Sequence, residues 1–255
     1  MQKIIFFDTE TTGVNNTDFL CQLAYKIYSP GRANNETFCE LYKPEIKIPP
    51  EASAVHHITN KMVENKIPFQ KSADFKKIKN LFEDKNSILV AHNAKFDLSI
   101  IKNEGINPKK IICTLRVARA LDKENKLPQH KLQFLRYFLN IEIEAEAHNA
   151  LGDVLVLEKL FERLFEKIKK TPNKIGVPTE VGKELSDEEV LEKMIEISSK
   201  PSLMYSFSFG KHAGKTVADV TKVDRGYLQW FLETKEKENP EDEDWIYTLK
   251  YYLGK

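Results

Sequence analysis

Three apolar stretches open the chain and predict three β-strands, at residues 2–8, 19–28 and 36–43. Each is rich in aliphatic and aromatic residues, and the first ends at Asp8. Residues 29–35 contain one Pro, one Gly and two Asn, which favour turns. The second and third strands are therefore expected to pair as a hairpin.

After residue 70 the apolar positions take on helical spacing, interrupted by two short apolar runs. The stretch at 149–170 repeats apolar residues at intervals of three and four, which is the stripe of an amphipathic helix. Helices are predicted at 71–84, 96–104, 114–121, 131–139 and 149–170, and strands at 88–91 and 111–113. This alternation predicts an α/β fold with a mixed sheet flanked by helices.

The chain changes character at about residue 170. Residues 171–185 contain two Pro and two Gly with few apolar residues, which predicts a linker. Ser186–Glu189 then has the sequence of a helix capping box, and aromatic residues are frequent up to the C-terminus. We predict a domain at 1–170, a linker at 171–185 and a small α+β module at 186–255.

The composition excludes several classes of protein. The 255 residues are 41% hydrophobic and 30% charged, and no apolar run reaches the about 18 residues of a membrane helix. The N-terminus lacks the layout of a signal peptide, so a cytoplasmic protein without a membrane partner is expected. The three Cys are widely spaced, which predicts free thiols. The net charge of +1 does not by itself point to a nucleic-acid partner.

Four carboxylates carry the candidate chemistry. Asp8 and Glu10 lie two residues apart on a predicted strand, so their side chains share a face and repel each other. A bound divalent cation would offset that repulsion, and the alternative is a strand end open to solvent. Asp97 follows the predicted strand at 88–91, and Asp153 interrupts an apolar stretch in the long helix. Oxygen ligands alone favour Mg²⁺ or Mn²⁺ over zinc.

These segments resemble the three motifs of the DEDDh family of 3′→5′ exonucleases, in the same order along the chain. The family residues are matched by Asp8, Glu10, Asp97, His148 and Asp153. The resemblance implies a ribonuclease H-like fold and metal-dependent hydrolysis of a terminal phosphodiester. Further segments at 112–114, 200–204, 207–211 and 226–230 resemble the exodeoxyribonuclease X branch of the family.

The resemblance also implies a role for each residue. Asp8 is expected to bridge two Mg²⁺ ions, for which Mn²⁺ substitutes, and Glu10 and Asp153 to bind the ion that holds the attacking water. Asp97 is expected to support the second ion. His148 is expected to act as the general base, since a histidine pKa of about 6.5 suits proton removal near neutral pH.

Three further groups of residues are predicted to bind substrate, of which the first is residues 11–15, directly after Glu10. A loop segment at 55–59 resembles the family's Val-His-Gly-Ile-Thr sequence, with His57 in place of the glycine. The C-terminal module mixes aromatic and basic residues in a predicted hairpin, which suits single-stranded nucleic acid. The predicted substrate-binding residues are Thr11, Thr12, Gly13, Val14, Asn15, His56, Lys211 and Lys215.

Several alternatives remain open from the sequence. DNA is the expected partner, but the same motifs serve exonucleases that act on RNA, and a homodimer is an open form of assembly. A proofreading subunit of a DNA polymerase is a second alternative, although the C-terminal region has the composition of a folded module. A third is a nucleic-acid-binding protein without catalysis, which an intact set of five catalytic residues disfavours.

Overall fold

A five-stranded mixed sheet forms the centre of the fold. The structure is a computed structural model, and it describes residues 2–15, 17–28, 36–143, 150–177 and 183–255. The strand order is β3-β2-β1-β4-β5, with β1–β2 and β2–β3 antiparallel and β1–β4 and β4–β5 parallel. The strands are β1 (Lys3–Thr11), β2 (Leu20–Tyr28), β3 (Thr37–Leu41), β4 (Ser87–Ala91) and β5 (Ile111–Cys113). The predicted mixed α/β sheet is confirmed, and the predicted hairpin turn at 29–35 lies outside the described residues.

Helices flank the sheet at the positions that the apolar spacing predicts, with bounds that differ by up to four residues. Five helices of the described residues were not predicted: two short ones at 50–56 and 60–63 and three after residue 216. The first two are too short to show a periodic stripe. The helices are α1 (Pro50–His56), α2 (Asn60–Val63), α3 (Phe75–Glu83), α4 (Ala94–Asn103), α5 (Thr114–Leu121), α6 (Leu132–Phe138), α7 (Ala150–Lys170), α8 (Asp187–Ser198), α9 (Val217–Val223), α10 (Arg225–Glu238) and α11 (Glu243–Leu253). Within the described ranges, no helix is both long and apolar enough to cross a membrane.

The alternation of β1 sends its side chains into two separate cores. Ile4 and Phe6 face one side and join the cluster that includes α5–α8, whereas Ile5 and Phe7 face the other side with α3 and α4. The Phe6 ring meets Phe161 of α7 edge to face, 5.2 Å between centroids. This contact holds α7 against β1. It therefore also positions the side chains in the first turn of α7.

Helix α8 packs on the sheet domain and not on the C-terminal helices. Its buried residues Val190, Leu191 and Met194 join the cluster of Ile4 and Phe6. Helices α9–α11 form a separate cluster around Phe207. The predicted domain boundaries stay predictions, but the packing of α8 favours a boundary near residue 200.

The C-terminal module (residues 201–255) is mainly helical. Its predicted hairpin is reduced to one isolated bridge between Ser206 and Thr216, closed over a short 3₁₀ turn at Gly210–His212. The backbone N–H of Phe207 donates to the carbonyl of Lys215 (3.0 Å), which holds the two sides of this loop together. The small β element of the module therefore serves to present the loop at 207–215.

Ion pairs dock this module on the sheet domain. Arg116 and Arg119 of α5 both bind Asp244 at the start of α11, and Arg116 also lies 3.0 Å from Glu243. Lys95 of α4 pairs with the same Glu243 at 2.9 Å. Negative side chains at the N-terminal end of α11 are also stabilised by the helix dipole. The acidic end of α11 is thus turned towards the sheet domain.

Candidate active site

The side chains of Asp8 and Glu10 on strand β1 face helix α7. Asp8 and Glu10 continue the face of Ile4 and Phe6, because alternate residues of a strand point the same way. That face lies against α7, whose first turn carries Asp153. Carboxylate oxygens of Asp8, Glu10 and Asp153 lie within 4.8 Å of one another. Two acids of one strand and a third that is more than 140 residues away in sequence therefore converge on one point.

A fourth carboxylate, Asp97, is buried beside them on α4. The backbone N–H and the hydroxyl of Thr9 both donate to its Oδ1, at 3.1 and 2.7 Å. Because Thr9 lies between Asp8 and Glu10, these bonds lock α4 to the strand that carries two of the acids. The helix starts after Asn93, whose φ of 61° is left-handed, a conformation that Asn tolerates better than most residues.

Burial and mutual repulsion make these carboxyl groups hard to ionise. Burial raises the pKa of Asp8 well above its ordinary value, and repulsion from Asp97, Glu10 and Asp153 adds to this. The same two causes raise the pKa of Glu10 to about 8. Burial raises the pKa of Asp97 to about 7, although its bonds from Thr9 act in the opposite direction.

The donor set fits a divalent cation. Among the described residues, no Lys or Arg appears among the groups that shift the pKa of Asp8, Glu10 or Asp97, so no fixed positive charge offsets their repulsion. Oxygen-only donors that repel one another in a partly buried site suit Mg²⁺ or Mn²⁺ and not zinc.

Metal affinity should rise with pH as a consequence. A cation displaces protons from carboxyls, so the affinity for Mg²⁺ should increase by up to about tenfold per pH unit for each proton displaced between pH 6 and 8. Isothermal titration calorimetry at pH 7, in two buffers of different ionisation enthalpy, counts the protons released. Binding without proton release would contradict the raised pKa values of Glu10 and Asp97.

Two glutamines that the sequence patterns did not single out hold Asp153 in place. Gln22 lies opposite Glu10 in the β1–β2 register, so its side chain faces α7, and its Oε1 accepts the N–H of Ala150 (3.3 Å). Gln133 of α6 donates a hydrogen bond to Oδ1 of Asp153. The only local signal for Gln22 is a polar residue within an apolar strand.

The segment at residues 11–15, which we call the substrate loop, lines a cavity of about 480 Å³ beside Glu10. The residues that line this cavity include Thr11, Thr12, Gly13, Val14, Asn15, His56 and Phe96. Asp18 holds the loop, because it accepts from the N–H of Asn15 (2.7 Å) and the hydroxyl of Thr12 (3.2 Å). A Cβ on Gly13 would lie only 2.5 Å from the Asp18 carboxylate, so glycine is needed for this close approach. The size and position of the cavity suit a terminal nucleotide.

Both ring nitrogens of the buried His56 bind the backbone. Nδ1 accepts from the N–H of Ile58 (3.0 Å), so Nε2 carries the proton and donates to the carbonyl of Thr11 (3.1 Å). Burial lowers the pKa of His56, which favours this neutral form. In this structure His56 fastens the substrate loop, and a direct bond from His56 to substrate stays a prediction.

His57, which stands where the family motif has glycine, adopts φ 62° and ψ 9°. A left-handed conformation suits glycine, and it costs other residues about 1–2 kcal/mol. His57→Gly should therefore keep the fold and raise the free energy of unfolding by up to about 1 kcal/mol, after the greater entropy of an unfolded glycine is deducted. Chemical denaturation of this variant beside His57→Ala checks this, and equal stability of the two variants would contradict it.

The other predicted site residues are placed less completely. His148 lies outside the described residues. Lys211 and Lys215 lie in the C-terminal module and do not line the cavity beside Glu10. The three cysteines form no disulfide, and Cys21 and Cys113 are buried.

Comparisons with known proteins agree with this geometry. The sequence profile of the family described as Exonuclease matches residues 5–161, and the profile described as Exodeoxyribonuclease X-like C-terminal matches residues 207–236. Exodeoxyribonuclease 10 of Escherichia coli strain K12 is 30% identical over 261 aligned residues, which cover 99% of each chain. DNA polymerase III subunit epsilon of Treponema pallidum is 32% identical over 61% of this chain and 73% of its own. The solved structure of exonuclease X in complex with 5′ overhanging duplex DNA has a TM-score of 0.54 at 22% identity and covers 76% of this chain and 99% of that one.

The first profile spans more than half of the chain, and the relative from E. coli matches it from end to end. The solved structure shares the fold of the mixed sheet and its flanking helices. Exonucleases of this kind use divalent metal ions, with which the acidic cluster is compatible. The chain therefore belongs to the exonuclease family, as a 3′→5′ exonuclease of the DEDDh type.

Proposed function

We propose that this exonuclease shortens DNA from its 3′ ends and releases nucleoside 5′-monophosphates, with two Mg²⁺ ions that Mn²⁺ can replace. The observation that carries the proposal is the convergence of Asp8, Glu10 and Asp153 within 4.8 Å, next to a cavity of nucleotide size. A cytoplasmic location stays a prediction.

The protein's own groups have distinct parts in the proposed mechanism. Asp8, Glu10, Asp97 and Asp153 would hold the cations. Bound cations of this kind supply Lewis-acid stabilisation of the negative charge that develops at the phosphoryl group. Thr9 keeps Asp97 in place, and Gln133 orients Asp153.

His148 is proposed to take the proton from the attacking water. In the sequence it precedes the first helical residue of α7, Ala150, by two positions and Asp153 by five. A neutral histidine accepts a proton efficiently near pH 7. The reaction then needs no other titratable side chain as a base.

The substrate loop would hold the terminal nucleotide. Phe96 also lines the cavity and immediately precedes Asp97, and its ring would contact the terminal base. Val14 is 89% exposed at the tip of the loop, where a base can lie against it. In the C-terminal module, Lys211 and Lys215 would bind phosphates further along the strand. Lys211 is already 2.8 Å from Asp224, so Lys215 is the stronger candidate of the two.

The names of the relatives support DNA as the substrate. The relative from E. coli is called an exodeoxyribonuclease, and the solved exonuclease X is in complex with 5′ overhanging duplex DNA. RNA is the main alternative substrate. The accessory-subunit alternative is less well supported, because residues 207–236 match an exodeoxyribonuclease X-like C-terminal profile.

A competition assay tests the choice of substrate. Single-stranded DNA, duplex DNA with a 5′ overhang and RNA of the same sequence, each with a different 5′ label, are digested together in Mg²⁺. We expect the single-stranded DNA and the duplex DNA to be shortened at least about tenfold faster than RNA. This corresponds to a difference of about 1.4 kcal/mol in transition-state binding. Preferential digestion of RNA would replace the proposal with an exoribonuclease.

A further inference from the structure

An aromatic surface flanks the loop at 207–215 in the C-terminal module. Trp230 of α10 is 56% exposed, and its ring lies 5.6 Å from that of Tyr227. The ammonium group of Lys211 lies 4.9 Å from the Tyr227 ring centre. We call Lys211, Lys215, Tyr227 and Trp230 the aromatic–basic patch. The second tryptophan, Trp245, is only 7% exposed and belongs to the core of the module.

The charge around the patch suits an anion. Residues 201–232 contain four basic and two acidic side chains. Of the two acids, Asp224 is bonded to Lys211 and His212. Lys215 is exposed and forms no ion pair with any described residue. The acidic end of α11 is paired with Lys95, Arg116 and Arg119 of the sheet domain.

A groove lies between the sheet domain and the C-terminal module. Its volume is about 560 Å³, and its walls come from both parts of the chain. Its lining includes Asn93, which directly precedes the helix that carries Asp97. It also includes Ser208, which comes just before Phe209 (41% exposed) and the loop with Lys211 and Lys215. Lys131 and Gln129 add polar groups to the wall.

We propose that the aromatic–basic patch is a second, non-catalytic binding site for single-stranded nucleic acid, on which a base stacks against Trp230. Lys215 binds a neighbouring phosphate, and the groove guides the strand between this site and the active site. The inference rests on the proposed function only in taking the strand to be part of the substrate. Aromatic rings beside lysines favour this partner, because every base offers a stacking face and every phosphate a negative charge. A second copy of the chain would bring the same lysines together and repel them.

The two tryptophans provide the test. In the full chain with Asp8→Asn, an unlabelled oligothymidylate of 20 nucleotides should quench the fluorescence of the exposed Trp230. In the Trp230→Phe variant, where only the buried Trp245 emits, quenching should be lost. Trp230→Ala should weaken binding of the labelled oligonucleotide by about 5- to 100-fold, as measured by fluorescence anisotropy. Lys215→Ala should lower the slope of log affinity against log salt by about 1.

Matched controls separate this site from the active site. Tyr251 is an equally exposed aromatic residue of the same module, at 59%, and Tyr251→Ala should leave the affinity unchanged. In the catalytically active chain, Trp230→Ala should leave hydrolysis of a dinucleotide unchanged, since a dinucleotide fills only the cavity beside Glu10. If the wild-type chain hydrolyses none of the substrates, the proposed function is wrong. The anisotropy measurements of oligonucleotide binding still test the aromatic–basic patch in that case.

Three results would overturn the inference. The first is unchanged affinity of Trp230→Ala for the oligonucleotide. The second is equal loss of affinity in Tyr251→Ala, which would indicate a general disturbance of the module. The third is a dimer in analytical ultracentrifugation that Trp230→Ala dissociates, which would assign the patch to a second copy of the chain. Trp230→Phe keeps an aromatic ring and should retain binding. A melting transition in Trp230→Ala as cooperative as that of the wild type shows that its loss of binding is not due to unfolding.

Discussion

Replacing Asp8 with Asn is expected to lower the rate of hydrolysis by at least about a thousandfold, while the protein stays folded. Asp8 lies within 4.8 Å of both Glu10 and Asp153, so the substitution removes a ligand from the centre of the acidic cluster. Metal ions stabilise a transition state by several kcal/mol, and each 1.36 kcal/mol is a factor of ten in rate. Rates on a 5′-labelled oligonucleotide in Mg²⁺ measure the effect.

The same substitution should stabilise the metal-free protein. Raised carboxyl pKa values mean that the folded state binds more protons than the unfolded state, so stability falls as pH rises. The loss begins above pH about 4, where unfolded carboxyls ionise. For Glu10 the loss is complete above its folded-state pKa of about 8. At pH 8 in a chelator, Asp8→Asn should raise the Tm by about 3 °C or more.

An exposed carboxylate provides the control for both measurements. Glu64→Gln removes a charge at an exposed position and should change neither rate nor Tm measurably. A folded Asp8→Asn variant that retains more than about a tenth of wild-type activity would remove Asp8 from the mechanism. A variant that melts below the wild type in chelator at pH 8 would contradict the repulsion between the acids.

His148→Ala should lower the rate constant of hydrolysis by about 10²–10⁴-fold, the usual contribution of a positioned base. With Mg²⁺ saturating at every pH, the wild-type rate should fall as pH drops below about 6.5, where an ordinary histidine becomes protonated, and this fall should be absent in the variant. Single-turnover kinetics over pH 5.5–8.5 measures both effects.

Metal binding separates a base from a ligand in this experiment. If His148 acts only as a base, Mg²⁺ affinity by calorimetry should be the same in His148→Ala and in the wild type. A rate within a few-fold of wild type would make His148 structural. A loss of Mg²⁺ affinity as large as the loss in rate would make it part of the metal site.

The sequence predicts those parts of the site that depend on local geometry. Asp8 and Glu10 could be placed on one face because strand alternation needs only their spacing. The amphipathic stripe of α7 predicted the helix that carries Asp153. These features follow from the chain within about 20 residues, whatever its neighbours are.

Features that depend on register or on the partner surface could not be predicted. Gln22 reaches Ala150 only because the β1–β2 register sets it opposite Glu10. The capping box at Ser186 predicts where α8 begins. It does not tell which surface the helix buries, and α8 packs on the sheet domain. The positive φ of His57 is likewise imposed by the surrounding fold and not by a preference of histidine.

A time course on 5′-labelled single-stranded DNA tests the central claim most directly, because it reads direction, step size and metal dependence together. In Mg²⁺ we predict a ladder of products that shorten one nucleotide at a time from the 3′ end. In excess chelator the substrate should stay at full length. It should also stay at full length with Asp8→Asn in Mg²⁺. Intact substrate after long incubation in Mg²⁺ or Mn²⁺ would contradict the account, and so would continued digestion in excess chelator.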